Sequence, residues 1–209
     1  MSLQLDARRA CTLLTGKSGS GKSTFALRYL LNAPSLAARF LFDPEGEFAQ
    51  RLRISAASEA RDLEADLGTG WVIFDPHTMF PGDTAAAFRF FCDWTFTVCS
   101  RGGGRKVLLV DEVWKYCSPQ SIPAELALCI QTGRKRGLDC MFATQRPNRL
   151  NGSLLGEATE VVSFRLQEES ALATVGNLGL YAPAVAALPP GSFRAVNCDT
   201  GGTLAGKVF

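Results

Sequence analysis

The octapeptide Gly16-Lys17-Ser18-Gly19-Ser20-Gly21-Lys22-Ser23 constrains this chain more than any other stretch. It meets the pattern G-x-x-x-x-G-K-[ST] without a mismatch, and its surroundings suit that pattern. Ala10 to Thr15 is a short apolar run of strand type, and Thr24 to Leu31 is apolar at helical spacing. A strand that turns into a helix through Gly16, Gly19 and Gly21 can aim successive backbone N–H groups into one concavity. The helix N-terminus adds its partial positive charge at the same place. An anion is the expected occupant. Residues Gly16 to Thr24 would wrap it, Lys22 would reach the β- and γ-phosphates of ATP, and the Ser23 hydroxyl would ligate Mg2+. A flexible Gly/Ser linker would not be gripped between two apolar elements or end in Lys-Ser.

A chain of 209 residues with 46% hydrophobic and 20% charged residues reads as one globular domain, residues 1–209. The net charge of +2 does not by itself announce a nucleic-acid binder. Its seven cysteines are scattered singly, with no C-x-x-C and only one histidine, His77. A zinc site and a disulfide framework are therefore not expected, and small core cysteines in a reducing cytoplasm are. His77, in a Pro-His-Thr turn, reads as structural or solvent-facing. No apolar run is long enough to span a membrane, and Met1 to Asp6 lacks the apolar region of a signal peptide.

Further along, Arg39 to Phe42 and Gly70 to Phe74 read as short buried strands, each ending in Phe-Asp-Pro. Helical character runs from Ser58 to Leu67 and from Phe88 to Val98, with Asp83-Thr84 as a start signal for the second. Arg101 to Arg105 is a turn, and Lys106 to Val110 is a continuous apolar run of the buried parallel-strand kind. Pro123 opens a helix expected to reach Arg136, with Gly137 as its stop. Leu138 to Thr144 and Val161 to Leu166 are further strands. Strands alternating with helices predict an α/β fold with a mostly parallel sheet and right-handed crossovers. Gly191 to Val196 and Thr203 to Phe209, flanking Asp199-Thr200-Gly201-Gly202, predict a closing antiparallel hairpin.

Asp111-Glu112 ends the apolar run that begins at Lys106. Ligands of open α/β sheets sit beyond the carboxyl ends of strands. Asp111 is placed to hold Mg2+, and Glu112 to polarise the water that attacks the γ-phosphate. Alone, the pair could equally be two exposed acids in a loop. With a phosphate loop upstream it completes a site. Two strands intervene in sequence between the loop strand and this one, as in ATPases with an additional strand and a catalytic glutamate. An Asn-Lys-x-Asp guanine reader and a Leu-Ser-Gly-Gly transporter signature are both absent.

The segment from Arg134 to Pro147, Arg-Lys-Arg-Gly-Leu-Asp-Cys-Met-Phe-Ala-Thr-Gln-Arg-Pro, resembles the FtsK/HerA superfamily of DNA-translocating ATPases. Its Gly-Arg-Lys-Arg-Gly part also resembles conjugative coupling proteins, and Phe42-Asp43-Pro44-Glu45-Gly46-Glu47-Phe48 resembles a stretch of HerA-like members. The resemblance implies a RecA-like fold of the additional-strand, catalytic-glutamate type. It implies Gln145 as the polar sensor of the γ-phosphate and Arg134 as an arginine finger inserted into a neighbouring subunit. Arg136 is the competing finger, and a basic last turn that complements the helix dipole is the plain alternative for both. A finger in trans implies a closed homo-oligomeric ring, a hexamer by the resemblance.

With Gly16 so near the first residue, the chain reads as an almost bare motor. In this it is similar to the small genome-packaging ATPases of tailless, membrane-containing icosahedral viruses. The expected role is to drive double-stranded DNA into a preformed viral or prophage capsid. Its partners would be DNA and a capsid or portal-vertex protein, in the cytoplasm or at the packaging vertex. Candidate DNA-facing segments are Val113 to Tyr116 and Arg146 to Arg149, although Trp114 and Tyr116 suit a core or an interface equally well. Three other readings compete: a phage assembly and secretion module of the zonula-occludens-toxin type, a conjugation-type DNA-transfer ATPase, and a small-molecule kinase that uses Arg134 to Arg136 in a lid.

Overall fold

A computed structural model describes residues 11–33 and 35–209. Of the segments read above, Ala10 and Met1 to Asp6 lie outside the described residues. The strands are β1 (Cys11–Thr15), β2 (Leu36–Phe42), β3 (Trp71–Phe74), β4 (Arg105–Val110), β5 (Leu138–Thr144), β6 (Glu160–Ser163), β7 (Ser192–Asn197) and β8 (Thr203–Lys207). The helices are α1 (Lys22–Leu31), α2 (Glu47–Leu52), α3 (Ala60–Asp66), α4 (Thr84–Arg101), α5 (Ala124–Thr132), α6 (Gly152–Gly156), α7 (Glu169–Asn177) and α8 (Ala182–Ala186). Hydrogen-bonded neighbours run in the order β3-β2-β4-β5-β1-β6-β7-β8. β2 pairs parallel with β3 and β4, and β1 with β6, whereas β6–β7 and β7–β8 are antiparallel. The α/β class, the mostly parallel sheet and the C-terminal hairpin all match the sequence reading. The two strands that separate β1 from β4 in sequence lie elsewhere in the sheet, and β5 alone stands between them.

The chain divides into two compact units. One comprises residues 30–111 and 123–140. Here β2 and β3 align so that Phe42 faces Phe74, which brings the two Phe-Asp-Pro endings side by side. Phe74 stacks on Phe91 of α4 at 5.3 Å and Phe91 stacks on Trp94 at 6.1 Å. Phe42 meets Phe88 edge-on at 5.4 Å. This aromatic layer explains why α4 runs 18 residues with Phe88, Phe91 and Cys92 all buried. Asp83 caps it, its Oδ1 accepting the Ala86 N–H at 2.9 Å.

Two cations are buried in this unit and satisfied by main-chain carbonyls. Arg39 donates to the carbonyls of Leu30, Leu36 and Ala33 and stacks on Trp71 at 4.7 Å. Lys106 donates to the carbonyls of Gly102, Gly104 and Arg136. The helix expected to run to Arg136 stops at Thr132 and tightens into a 3-10 turn over Gly133–Arg136. Gly137 then takes a left-handed φ of 69°, and a Cβ there would come within 2.6 Å of the Gly104 carbonyl oxygen. Only glycine fits that stop. Pro123 proves to be the residue before the helix rather than its first.

The other unit comprises residues 11–29, 112–122 and 141–209. Its core is an aromatic triangle: Phe25 of α1, Phe164 just past β6 and Phe193 of β7, with ring centroids 5.1–6.2 Å apart. The strand expected over Val161 to Leu166 ends at Ser163, which frees Phe164 to leave the sheet and fill this centre. α6, α7 and α8 complete the unit. Six of the cysteines are buried and Cys198 is exposed, all as free thiols. His77 is exposed and bonds Asp75 through Nδ1 at 2.6 Å.

Asp43, at the carboxyl end of β2, is almost fully buried, and its Oδ2 accepts the Ala49 N–H of α2 at 2.8 Å. Burial pushes its carboxyl above the ordinary aspartate range, with the amides of Ala49, Phe48 and Glu47 pulling the other way. A raised folded-state value means that the folded chain keeps this proton longer than the unfolded chain. The contribution is fully present below the ordinary aspartate range and is lost as pH climbs through the folded value. Denaturant unfolding of wild type and Asp43→Asn should therefore show the variant gaining relative stability as pH rises through that window. A difference that does not change with pH would refute this account of Asp43.

Candidate active site

The phosphate loop is seated on Phe164. The Gly16 N–H donates to the Thr144 carbonyl at the end of β5 at 3.3 Å and the Lys17 N–H to the carbonyl of Arg165, the residue after Phe164, at 3.1 Å. Gly16 has a φ of 148° and Gly21 a φ of 116°. A Cβ on Gly16 would meet Phe164 Cβ at 2.7 Å, and one on Gly21 would meet Val208 Cγ2 at 2.7 Å and Phe164 Cε1 at 3.1 Å. Gly19, at φ 69°, has open space around it and is needed for its backbone alone. Two of the three glycines thus answer to packing against the unit's core, and the third to curvature.

Within the loop the Lys22 ammonium is buried, donating to the Gly16 carbonyl at 2.9 Å and the Lys17 carbonyl at 3.3 Å. It also lies 3.7 Å from Glu112 Oε1. Ser20 Oγ is buried with no hydrogen-bond partner in the protein. Such an orphan costs free energy unless a ligand or water answers it. The exposed Lys17, Ser18 and Gly19 form the rim. Ser23 and Thr24, the second and third residues of α1, are half-buried.

Glu112 is the most unusual residue of the site. Its backbone is left-handed, φ 46° and ψ 46°, which is sparsely populated by residues other than glycine and costs about 1–3 kcal/mol. Its side chain is pinned on several sides. Oε2 accepts the Trp114 indole N–H at 2.7 Å and the Gln145 backbone N–H at 3.2 Å, while Oε1 faces Lys22. The carboxylate is thus fixed beside the loop lysine. Asp111, half-buried, immediately precedes it and follows the last residue of β4.

The remaining predicted residues divide. Gln145 is where the sequence places it, directly after β5, yet its exposed side chain is not what grips Glu112; its backbone N–H does so. Arg134 is exposed on the 3-10 turn after α5. Arg136 is engaged within its own unit, bonded to Ser100 Oγ and stacked on Phe96 at 4.3 Å. Sequence reasoning missed the Trp114 contact to Glu112. It also missed that Arg146 and Arg149 sit over the same indole, at 4.9 and 6.0 Å from its centroid. The i, i+2 spacing of Glu112 and Trp114 was the available signal, but only the left-handed turn makes it a contact.

The residues fit a nucleoside triphosphate and Mg2+. The buried ammonium and the unanswered Ser20 hydroxyl lie in a glycine-bounded cradle at a helix N-terminus, which is anion chemistry. Ser23 and Asp111 offer hard oxygen donors. Among the described residues no group of three or more His, Cys, Asp or Glu side chains could hold a metal.

No protein-family profile and no curated protein sequence matches the chain. Solved structures do. The genome packaging NTPase B204 from Sulfolobus turreted icosahedral virus 2, in complex with AMPPCP, superposes with a TM-score of 0.76 at 18% identity, covering 97% of this chain and 99% of that one. VirB4 of Thermoanaerobacter pseudethanolicus gives 0.69 at 14% identity, covering 95% and 88%. EccC (ATPases 2 and 3) of Thermomonospora curvata, in complex with a signal sequence peptide, gives 0.61 at 15% identity, covering 95% of this chain and 36% of that one. The fold is that of the P-loop ATPases. Among the described residues no helix is long and apolar enough to cross a membrane.

If Phe164 fixes the loop, an added methyl should cost most where it strikes that residue, as at Gly16, where it would meet Phe164 Cβ and Ser20 Oγ, each at 2.7 Å. Gly16→Ala should lose the backbone contribution of about 1–3 kcal/mol and a steric one besides. Gly19→Ala, with nothing within 4 Å of its Cβ, should lose the backbone contribution alone. Thermal midpoints would register roughly 2–4 °C per kcal/mol. Equal losses at the two positions would show that the Phe164 contact does not limit the loop.

Proposed function

We propose that this chain is an ATP-hydrolysing translocase of double-stranded DNA that acts as a homo-oligomeric ring, a hexamer, packaging a viral or prophage genome into a preformed capsid. The observation that carries the reading is the Glu112 carboxylate, held 3.7 Å from a buried Lys22 and anchored by Trp114 and the Gln145 amide. A carboxylate held beside a phosphate cradle is placed to accept a proton from water attacking the γ-phosphate. Residues Gly16 to Thr24 bind the triphosphate through backbone amides, and Lys22 places positive charge at the β- and γ-oxygens. Ser23 and Asp111 would hold Mg2+, which when bound neutralises charge on those oxygens. Gln145 orients Glu112 through its main chain and leaves its amide exposed to sense a γ-phosphate.

One feature supports a ring and another the packaging reading. Arg134 is exposed and carried on a turn whose end is fixed by Gly137, so it can be presented to a neighbour. The fold likeness to a viral packaging NTPase covers nearly the whole of both chains. In a ring, modest charge per subunit suffices for sequence-blind contacts with DNA phosphates.

Phosphate release measured with and without long duplex DNA at low salt tests the motor. Stimulation by DNA is expected; hydrolysis indifferent to DNA would favour a secretion module, and turnover only with a small acceptor would favour a kinase. Mixing tests the ring. Arg134→Ala and Lys22→Ala subunits, each inactive alone, should recover part of the wild-type rate together, because an intact finger then faces an intact loop. An arginine finger contributes on the order of 10³-fold or more in rate, so even partial rescue is measurable. No recovery would place Arg134 outside the neighbour's site.

A further inference from the structure

We infer that Trp114 couples the Glu112 carboxylate to a phosphate-backbone site formed by Arg146 and Arg149, so that duplex DNA on those arginines frees the carboxylate for hydrolysis. This rests on the reading of the chain as a DNA-stimulated ATPase and adds the route by which stimulation reaches the site.

The route is short and lies within one compact unit. Trp114 sits in the 3-10 turn Val113–Lys115, two residues past Glu112, and its Nε1 donates to Glu112 Oε2 at 2.7 Å. That bond occupies Oε2 and holds the carboxylate in one orientation, so this oxygen is not turned toward an attacking water. In the structure the indole therefore both positions Glu112 and restrains it. The guanidinium carbons of Arg146 and Arg149 lie 4.9 and 6.0 Å from the centroid of the same ring. Both arginines are exposed, as is Lys115 on the turn itself.

The backbone beneath the arginines is fixed. The Arg146 N–H donates to Thr144 Oγ1 at 2.9 Å, and the Arg149 N–H to the Arg146 carbonyl at 3.0 Å. Asn148 Nδ2 ties the loop to Glu168 Oε1 at 3.1 Å and Ser170 Oγ at 2.8 Å. What remains free to move is the pair of guanidinium heads, two like charges sharing one aromatic ring. An exposed cation–π contact is weak beside a bidentate arginine–phosphate pair. Phosphates of a DNA backbone would therefore draw the heads from the ring and relieve their mutual repulsion. With its cations gone, the indole loses the contacts that steady it, and its hydrogen bond to Glu112 weakens. Duplex DNA is the occupant that matches this chemistry: a repeating phosphate array meeting exposed, basic, sequence-blind side chains.

The test uses the full chain, with long duplex DNA as the probe. Trp114→Phe keeps the aromatic face and removes only the N–H. DNA-free phosphate release should rise roughly tenfold to a hundredfold, the span expected for losing one hydrogen bond to a charged group, and stimulation by DNA should shrink toward one. Tryptophan emission, followed without nucleotide, should change on adding DNA to wild type and stay nearly flat in Trp114→Phe. In Arg146→Ala/Arg149→Ala the emission change should be lost and DNA binding weakened about tenfold or more. Trp114→Phe with wild-type DNA-free rate and wild-type stimulation overturns the coupling while leaving the ATPase reading intact. If that variant does not fold, an undiminished emission change in the double arginine variant overturns it instead. A wild type that hydrolyses ATP without any response to DNA removes the translocase reading itself.

Discussion

The phosphate loop depends on one buried ring. Phe164 is fully buried, packs against Phe25 of the loop's own helix, and comes close to both Gly16 and Gly21. Removing a side chain of this kind from a core costs about 3–5 kcal/mol. The backbone around it is tied down as well: the Phe164 N–H donates to the Thr15 carbonyl at 2.8 Å, and the Arg165 carbonyl accepts the Lys17 N–H. The loop amides can be aimed at an anion only because the neighbouring strands fix their direction. A glycine-rich segment left to itself would lose too much entropy to hold that curve. The apolar core and the polar cradle are thus one structure, and the glycines record where the two meet.

Glu112 shows the opposite economy. Its left-handed backbone is unfavourable, and such conformations persist only where the surroundings over-determine them. Here the surroundings are identifiable: an indole N–H, a backbone N–H from the end of β5, and the loop lysine. Lys22 in turn divides its donors between loop carbonyls and that carboxylate. A buried ammonium and a largely buried carboxylate would each be costly alone. Held a few ångströms apart, with main-chain groups and the Trp114 indole as their other partners, they are compatible with one folded site. Movement of either charge changes the environment of the other, so the loop lysine and Glu112 are linked by geometry.

How much of this could be read from the sequence depended on the range of the determining contact. The phosphate loop was legible because its signal is local: glycines at turning points, Lys-Ser at the end, strand before and helix after. The Asp111-Glu112 pair was legible because it ends an unbroken apolar strand. The Asp83 cap and the Gly137 stop were legible through the chemistry of single residues. Contacts made by Trp114, Gln145 and Phe164 were not, since each depends on where a distant strand end arrives. The helices between β6 and β7 left little trace. Neither Glu168 before α7 nor Tyr181 before α8 caps through its side chain, and α8 spans only five residues. The short exit of Phe164 from β6 looked like more strand because the residue is apolar, and apolar residues suit a strand and a core equally well.

The basic run Arg134-Lys135-Arg136 shows how geometry separates residues that sequence treats alike. In a 3-10 turn three residues complete a circle, so successive side chains point in three different directions. Arg136 points toward α4, where Ser100 accepts its hydrogen bond and Phe96 carries its guanidinium. Its main-chain carbonyl is occupied too, by the buried Lys106. Taking Arg136 to a neighbouring subunit would mean breaking both of these side-chain contacts with α4. Arg134, rotated away on the same turn, is exposed and can be offered outward without disturbing the fold. The turn itself is held by the Gly137 conformation and by the hydrogen bond from the Gly137 N–H to the Arg134 carbonyl at 3.1 Å. One basic residue thus braces the turn while another is presented from it, which is the division of labour that a residue acting on a second subunit requires.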